Sequence, residues 1–412
     1  MKKIIIIGGG FAGLWSAISA ARHISLLQLE KKRIEVILLN RDQFHGIRVR
    51  FYEKDLNGVR IPLDTVLKPI SVKYMQGSVT SIDKIEQTIA YTSEKEEKKE
   101  LHYDRLILAA GSHLHLPKTP GLKRYTFNVD TFQEASRLKL HLSQLNSSPK
   151  VPGRHTVVVV GAGFTGIEVA CEMVERMRQI TKNRNGIKDK SNFQIILVDS
   201  APHVGSVMGK EARLVIEEAL DSLGIDRRLN AKVRSINEKE FLLESGECIP
   251  TRTTIWTAGM RASPLTSFFS TECDNLGRLS VDSHLRIKGA NHAFAAGDVA
   301  RAMTDEHHFS VMSCQHGRQQ GKFAGHNAVA DLLGKKLIPY KQEHYTTILD
   351  LGLWGALYTM GWERKVIAKG ETAKATKKKI NRIRIYPPQT GNVAEIFQAG
   401  EPIILPPPSV EF

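Results

Sequence analysis

The sequence predicts an α/β fold built from two copies of one parallel-sheet, Rossmann-like domain. Three observations predict it: two glycine-rich loops of one form, the apolar runs that feed them, and a regular spacing between the segments that follow. Lys2-Lys3-Ile4-Ile5-Ile6-Ile7 is a β-branched run such as a strand buried on both faces carries. It enters Gly8-Gly9-Gly10-Phe11-Ala12-Gly13, and Leu14 to Arg22 reads as a helix. Further on, Val157-Val158-Val159-Val160 enters Gly161-Ala162-Gly163-Phe164-Thr165-Gly166, after which Ile167, Ala170, Val174 and Met177 share one helix face.

The spacing shows a repeat. Gly161 lies 153 residues after Gly8. Val233-Arg234-Ser235-Ile236-Asn237 resembles Val79-Thr80-Ser81-Ile82-Asp83 at an offset of 154, and the segment ending Ala258-Gly259 resembles the one ending Ala110-Gly111 at 148. Near-equal offsets mark two copies of one domain. Residues 147–153, rich in Ser, Pro and Gly, read as the linker between them. Lys182 to Phe193 reads as a surface loop inside the second copy, and Glu94 to Glu100 as a solvated hairpin tip. The terminal Pro406-Pro407-Pro408 is assigned no function.

Composition narrows the class. A chain of 412 residues holds two or three domains, and 42% hydrophobic with 25% charged residues excludes disorder, collagen-like and coiled-coil architectures. Four cysteines with no CxxC pair exclude a disulfide scaffold and remove the main requirement of a redox-disulfide enzyme. The net charge of +15 suits polyanions: phosphate-bearing cofactors, an anionic membrane surface, or nucleic acid. A solvated basic surface is the simpler reading. The apolar run near Met1 is too short for a secretory signal, and Leu349 to Trp362 is too short to span a bilayer. The expected location is therefore cytoplasmic, or peripheral at the inner face of the membrane. His113 with His115, and His307 with His308, lack a carboxylate or cysteine at ligand spacing, so no metal is expected.

A strand–GxGxxG–helix unit is the signature of a Rossmann-like dinucleotide site. The first glycine (Gly8, Gly161) permits the tight turn, the second (Gly10, Gly163) lets a pyrophosphate approach the backbone, and the third (Gly13, Gly166) lets helix and strand pack closely. The next strand should end in an acid for the adenosine ribose. Ile195 to Val198 ends in Asp199, and no arginine follows it, so NADH is expected over NADPH. In the first copy the strand ends in Asn40-Arg41, an uncharged amide that still bonds a hydroxyl.

A third element, Ala293-Phe294-Ala295-Ala296-Gly297-Asp298, is a small-residue strand ending in Gly-Asp. With it the sequence resembles the two-dinucleotide-domain flavoproteins of the pyridine-nucleotide oxidoreductase class, and among them most the type II NADH dehydrogenases, over roughly residues 1–365. The resemblance implies FAD on the first loop, with Gly8, Gly10, Phe11, Ala12, Gly13, Asn40, Arg41, Val79, Ala110, Gly111, Gly297 and Asp298 at its walls. It implies NADH on the second, with Gly161, Gly163, Gly166, Asp199 and Gly259, and places Glu168 beside the nicotinamide. The resemblance implies that the NADH domain is nested in the FAD domain, with 1–122 and 270–335 for the FAD-binding domain, 150–265 for the NAD(H)-binding domain and 336–412 for a C-terminal α+β segment.

On the acceptor side that family carries an AQxAxQ segment. Here it reads Cys314-Gln315-His316-Gly317-Arg318-Gln319, with both glutamines kept and both alanines replaced. The resemblance puts Gln315 near the flavin and Gln319 near a quinone. Gly317, Gly321 and Gly325 form a small-residue stripe suited to close packing against a sheet or the flavin. Lys365 to Arg384 is basic with few bulky apolar residues, which argues against membrane insertion. Leu349 to Tyr358 reads as a strand pair covering the flavin.

The expected activity is hydride transfer from NADH to FAD and on to a quinone-like or other small acceptor. Alternatives are a soluble flavin oxidoreductase acting on a small metabolite and a redox-sensing flavoprotein that binds polyanions. The partners considered are NADH, the acceptor, an anionic membrane surface and a second copy of the chain. No specific nucleic acid is expected.

Overall fold

The computed structural model describes residues 1–28, 33–147, 150–181, 193–269 and 272–410. Residues 182–192 of the expected surface loop, and 148–149 of the linker, lie outside them.

The first copy builds β1 (Lys2–Ile7), α1 (Phe11–Leu26), β2 (Ile34–Asn40), β3 (Lys73–Asp83), β4 (Thr88–Ser93), β5 (Lys98–His102) and β6 (Arg105–Leu108). Strand β1 pairs in parallel with β2 on one side and β6 on the other, and Ile4, Ile5 and Ile6 are fully buried. A strand covered on both faces has no polar side, which explains four successive isoleucines. The second copy builds β7 (Thr156–Val160), α2 (Phe164–Thr181), β8 (Gln194–Val198), α3 (Gly209–Leu223), β9 (Ile225–Arg228) and β10 (Thr253–Trp256). The later elements that bear on the site are β11 (Ala293–Ala295), α4 (Cys314–Leu332), β12 (Thr346–Asp350), β13 (Ala356–Met360), β14 (Lys365–Lys369) and α5 (Gly370–Lys379).

The seven-stranded sheet runs β11-β6-β1-β2-β3-β4-β5. The five-stranded one runs from the short strand Thr126–Phe127 through β10, β7, β8 and β9. The order β6-β1-β2-β3 thus recurs as β10-β7-β8-β9, the topological form of the sequence repeat. Strand β3 leaves its parallel pairing with β2 to run antiparallel to β4, which in turn pairs antiparallel with β5, and the tip of that β4–β5 hairpin is exposed as expected. In the second copy the matching Val233–Ile236 belongs to a separate three-stranded antiparallel sheet.

Helix α4 closes the first domain by crossing α1, and the glycine stripe marks the crossing. A Cβ on Gly321 would collide with the Ala12 carbonyl, and one on Gly325 with the Ser16 carbonyl. The stripe therefore serves helix–helix approach, with only Gly317 meeting the Gly297 backbone; it does not pack on a sheet face.

Strands β12, β13 and β14 form an antiparallel sheet, with Leu349 opposite Leu357. The basic stretch Lys365 to Arg384 is not one helix: it is β14, α5 and a π-helical turn Ile380–Arg384. Nor do all its lysines face solvent. Lys374 Nζ lies 2.5 Å from Asp350 Oδ1 and Lys377 Nζ 2.6 Å from Glu168 Oε1. Buried carboxylates require such counter-ions. Among the described residues no helix is long and apolar enough to cross a membrane.

Candidate functional site

One cavity of about 1250 Å³ joins the two glycine-loop domains and the C-terminal segment, above the usual few-hundred to 1,000 Å³ of small-ligand pockets. Its walls include Gly8, Gly10, Phe11, Ala12, Asn40, Arg41, Val79, Ala110, Gly111, Gly297 and Asp298. The second copy contributes Phe164, Thr165 and Glu168, and α4 contributes Cys314, Gln315 and Gln319. Pro406, Pro407 and Pro408, to which the sequence assigned nothing, also line it, and the Tyr358 hydroxyl donates to the Pro408 carbonyl at 2.8 Å.

The glycines divide by position as the motif requires. Gly8 and Gly161 turn with φ of +107° and +106°, the left-handed side that favours glycine. Gly13 and Gly166 are closed, because a Cβ on either would collide with the carbonyl oxygen of Gly8 or Gly161. Gly10 and Gly163 are open, with nothing within 4 Å of an added Cβ. Helix α1 follows Gly10 at its N-cap with no side-chain cap and no acid in its first turn, so its terminal amides face the cavity without a competing anion. The open second glycine and the bare helix end fit the pyrophosphate of a dinucleotide.

The strand-end residues are equivalent in both copies. Asn40 Oδ1 accepts from the Gly9 amide at 2.9 Å while its Nδ2 donates to the Asp42 carbonyl at 2.7 Å. Asp199 Oδ2 accepts from the Ala162 amide and its Oδ1 from the Ala201 amide at 2.7 Å. Each side chain, expected at a ribose, thus also ties down the middle of its own loop. His45, which the sequence did not single out, fixes the first loop from the other side: fully buried, its Nδ1 donates to the Gly9 carbonyl at 2.9 Å.

Burial pushes His45 down to about 4, and His316 likewise. The unfolded chain binds these protons near 6.5 and the folded chain does not, so their contribution to stability is intact above pH 6.5 and is lost as pH falls toward 4. The melting temperature of H45Q is expected to fall less steeply over that window than that of the wild type. Parallel slopes in a pH series of thermal melts would contradict this.

Around Asp298, the Ser112 hydroxyl donates to Oδ2 at 2.5 Å and Arg48 Nη1 lies 4.0 Å away, while Arg48 also pairs with Asp130. Gly259 turns with φ +79° and its carbonyl accepts from the His115 amide at 2.9 Å.

Glu168 is 8% exposed; its Oε1 accepts from Lys377 Nζ at 2.6 Å and from the Asp350 amide at 3.0 Å. Burial raises its carboxyl above the ordinary range, and the Lys377 ammonium opposes that rise. Glu168 and Asp350 in turn hold Lys377 protonated. Lys377, also on the cavity wall, is the main residue missing from the sequence reading. No local signal marks it, because its partner Glu168 is 209 residues away in sequence. The two glutamines differ: Gln315 Nε2 donates to the Thr346 carbonyl at 2.8 Å and its Oε1 accepts from the Thr346 amide at 3.2 Å, whereas Gln319 Oε1 is buried without a partner. All four cysteines are unpaired, and burial pushes the Cys314 thiol up to about 11, which suppresses thiolate chemistry near neutrality.

The profile of the pyridine nucleotide-disulphide oxidoreductase family matches residues 2–321. The chain belongs to this family. It is an oxidoreductase whose cofactors are FAD and NADH, an NADH-oxidising flavoenzyme. Among curated proteins, an NADH dehydrogenase-like protein of Mycobacterium tuberculosis is 44% identical over 408 residues, covering 99% of this chain and 100% of that one. The type II NADH:quinone oxidoreductase of Staphylococcus haemolyticus is 24% identical over 416 residues, covering 97% and 98%. Among solved structures, NDH2 from Plasmodium falciparum in complex with NADH superimposes with a TM-score of 0.78 at 15% identity over 97% of each chain, a likeness of fold.

Proposed function

We propose that this family member is an NADH:quinone-type dehydrogenase. The observation that carries the reading is the shared cavity, in which first-loop residues, Glu168 of the second domain and Gln315 and Gln319 of α4 border one space. FAD, when bound, accepts a hydride from NADH and hands its electrons on. The chain's own residues bind, orient and manage protons. Gly8 to Gly13 and the bare α1 terminus would hold the FAD pyrophosphate, with Asn40, Arg41, Val79, Ala110, Gly111, Gly297 and Asp298 along its length. Gly161, Gly163, Gly166, Asp199 and Gly259 would hold NADH, and the Asp199 carboxylate disfavours a 2′-phosphate. This division corresponds to 1–122 with 270–335 for FAD, 150–265 for NADH, and 336–412 as the cover.

The proton inventory favours a quinone over a one-electron acceptor. Lys377 holds a proton on Nζ, 2.6 Å from Glu168 Oε1, at the cavity wall. An acceptor that takes up protons with its electrons uses such a pair; a one-electron protein partner does not. The orphaned Gln319 Oε1 suits a ligand donor such as a quinol hydroxyl. The 24% identical relative named for quinone reduction supports the same choice. A peripheral position on an anionic membrane, where quinone resides, and a homodimer belong to this proposal.

The test is an anaerobic titration of the yellow protein with NADH, followed by addition of acceptors. Bleaching at stoichiometric NADH and rapid recovery with a quinone in lipid vesicles are expected, with NADPH much weaker than NADH. Recovery with soluble acceptors alone would favour the soluble flavin oxidoreductase instead.

A further inference from the structure

Arg364 is a cation on the cavity wall that, unlike Lys377 or Arg48, forms no ion pair with a carboxylate among the described residues. Only 6% of it is exposed, and both Nε and Nη1 are buried without a hydrogen-bond partner. Its guanidinium lies 4.2 Å from the centre of the Tyr345 ring and 5.9 Å from that of Phe164. Aromatic faces offset part of the cost of burying a charge, and an unpaired charge in such a place still calls for an anion. The backbone adds a second sign: Arg364 has φ +60°, a left-handed conformation arginine seldom adopts, and such strain persists where the surroundings impose it.

Its position says which anion. Phe164 opens α2 directly after Gly163, the open glycine of the second loop. On the other side, the neighbouring Glu363 carbonyl packs 3.2 Å from the Cβ position of Gly209, the first residue of α3. Arg364 therefore stands between the N-termini of the two helices of the second copy, ends that attract negative charge themselves.

We propose that Arg364 is a phosphate-binding residue of the NADH site, donating its free N–H groups to the pyrophosphate of a dinucleotide lying on the Gly161–Gly166 loop. The proposal rests on the NADH reading above and adds a ligand from the C-terminal segment, outside the glycine motif. It makes the C-terminal sheet part of the nucleotide site and ties its docking to NADH binding.

The experiment uses flavin-loaded wild type, R364M, R364K and R364G, the last chosen because glycine accepts the left-handed turn without strain. Calorimetry with ADP-ribose, which carries the pyrophosphate and no nicotinamide, reads binding without turnover. Bleaching rates with NADH are compared with those for dihydronicotinamide riboside, which carries the reducing ring and no phosphate. R364M and R364G are expected to weaken ADP-ribose roughly 10- to 100-fold, with R364K between them and the wild type, and the preference for NADH over the riboside should fall by a similar factor. ADP-ribose affinities of R364M and R364G within twofold of the wild type would overturn the proposal. So would an unchanged preference for NADH over the riboside, which would assign the anion to the second substrate. Wild-type protein that neither binds ADP-ribose nor is bleached by NADH would instead overturn the NADH reading itself.

Discussion

Gly166→Ala is expected to yield a yellow protein that NADH no longer bleaches at micromolar concentrations. The added methyl would fall against the Gly161 carbonyl oxygen and 2.8 Å from Thr257 Oγ1, and the helix offers no room to retreat because Ile167, Val169 and Ala170 behind it are fully buried. Helix α2 must therefore move away from β7 by an ångström or more. Glu168 rides on the same helix two residues further on, so the site loses alignment together with the loop, and misplacement on that scale costs about 100-fold in reductive rate at fixed NADH. Gly13→Ala makes the same collision with Gly8 in the first copy, where the expected result is a colourless protein. The two variants separate the copies by colour: visible absorbance per chain reads the first loop and NADH titration the second. A Gly166→Ala protein bleached like the wild type would show that the second loop does not position the reductant.

Lys377→Met is expected to cost about 3–5 kcal/mol of stability, the usual result of removing one partner of a buried pair. Glu168, 8% exposed, would keep only the Asp350 amide as donor. The sign of the pH effect identifies the cause. A carboxyl raised by burial contributes stability below its unfolded pKa and loses it as pH rises through the higher folded value. The melting deficit of K377M should therefore shrink on acidification from pH 7 toward 4.5, a window in which the loss from the buried histidines is common to both proteins and cancels. Lys377, raised in the wild type, loses its own contribution only in strong alkali. Lys377→Met with Glu168→Gln should recover part of the stability and none of the function. For quinone re-oxidation the single variant should be about 100-fold or more slower, the scale of a lost proton donor. Melting and re-oxidation both at wild-type levels would remove the pair from the site.

What was legible in the sequence was local. Four isoleucines before Gly8, and four valines before Gly161, state a buried strand because both faces must be apolar. The collision of Gly13 with Gly8 is set by six residues of chain, so spacing alone reveals it. Asn40 and Asp199 were half legible: an acceptor at the strand end was foreseen at a ribose, but its bond to the loop of its own copy requires knowing that strand end and loop abut. Lys377 was illegible for a different reason. Its partner is 209 residues away, and a lysine flanked by Lys378 and Lys379 reads as solvated unless the opposing carboxylate is seen. Arg364 and Pro406 to Pro408 share that difficulty, since their surroundings come from remote segments.

The seating of β11 beside β6, and of α4 across α1, has a consequence for how the chain is born. Ser112 and Asp298, which meet across this seam, are 186 residues apart. While the intervening residues leave the ribosome, at roughly 5–20 per second, the β6 edge and the Ala12 and Ser16 side of α1 stay uncovered for about 10–40 s. The second copy, contiguous from Thr126 to Trp256, gains all its strands before then. An early half-molecule with a finished middle and an open flank is thus an obligatory species in every round of synthesis. The hazard to yield in a cell sits in that interval, when an unpaired strand edge can meet another nascent chain before its own residue 295 arrives.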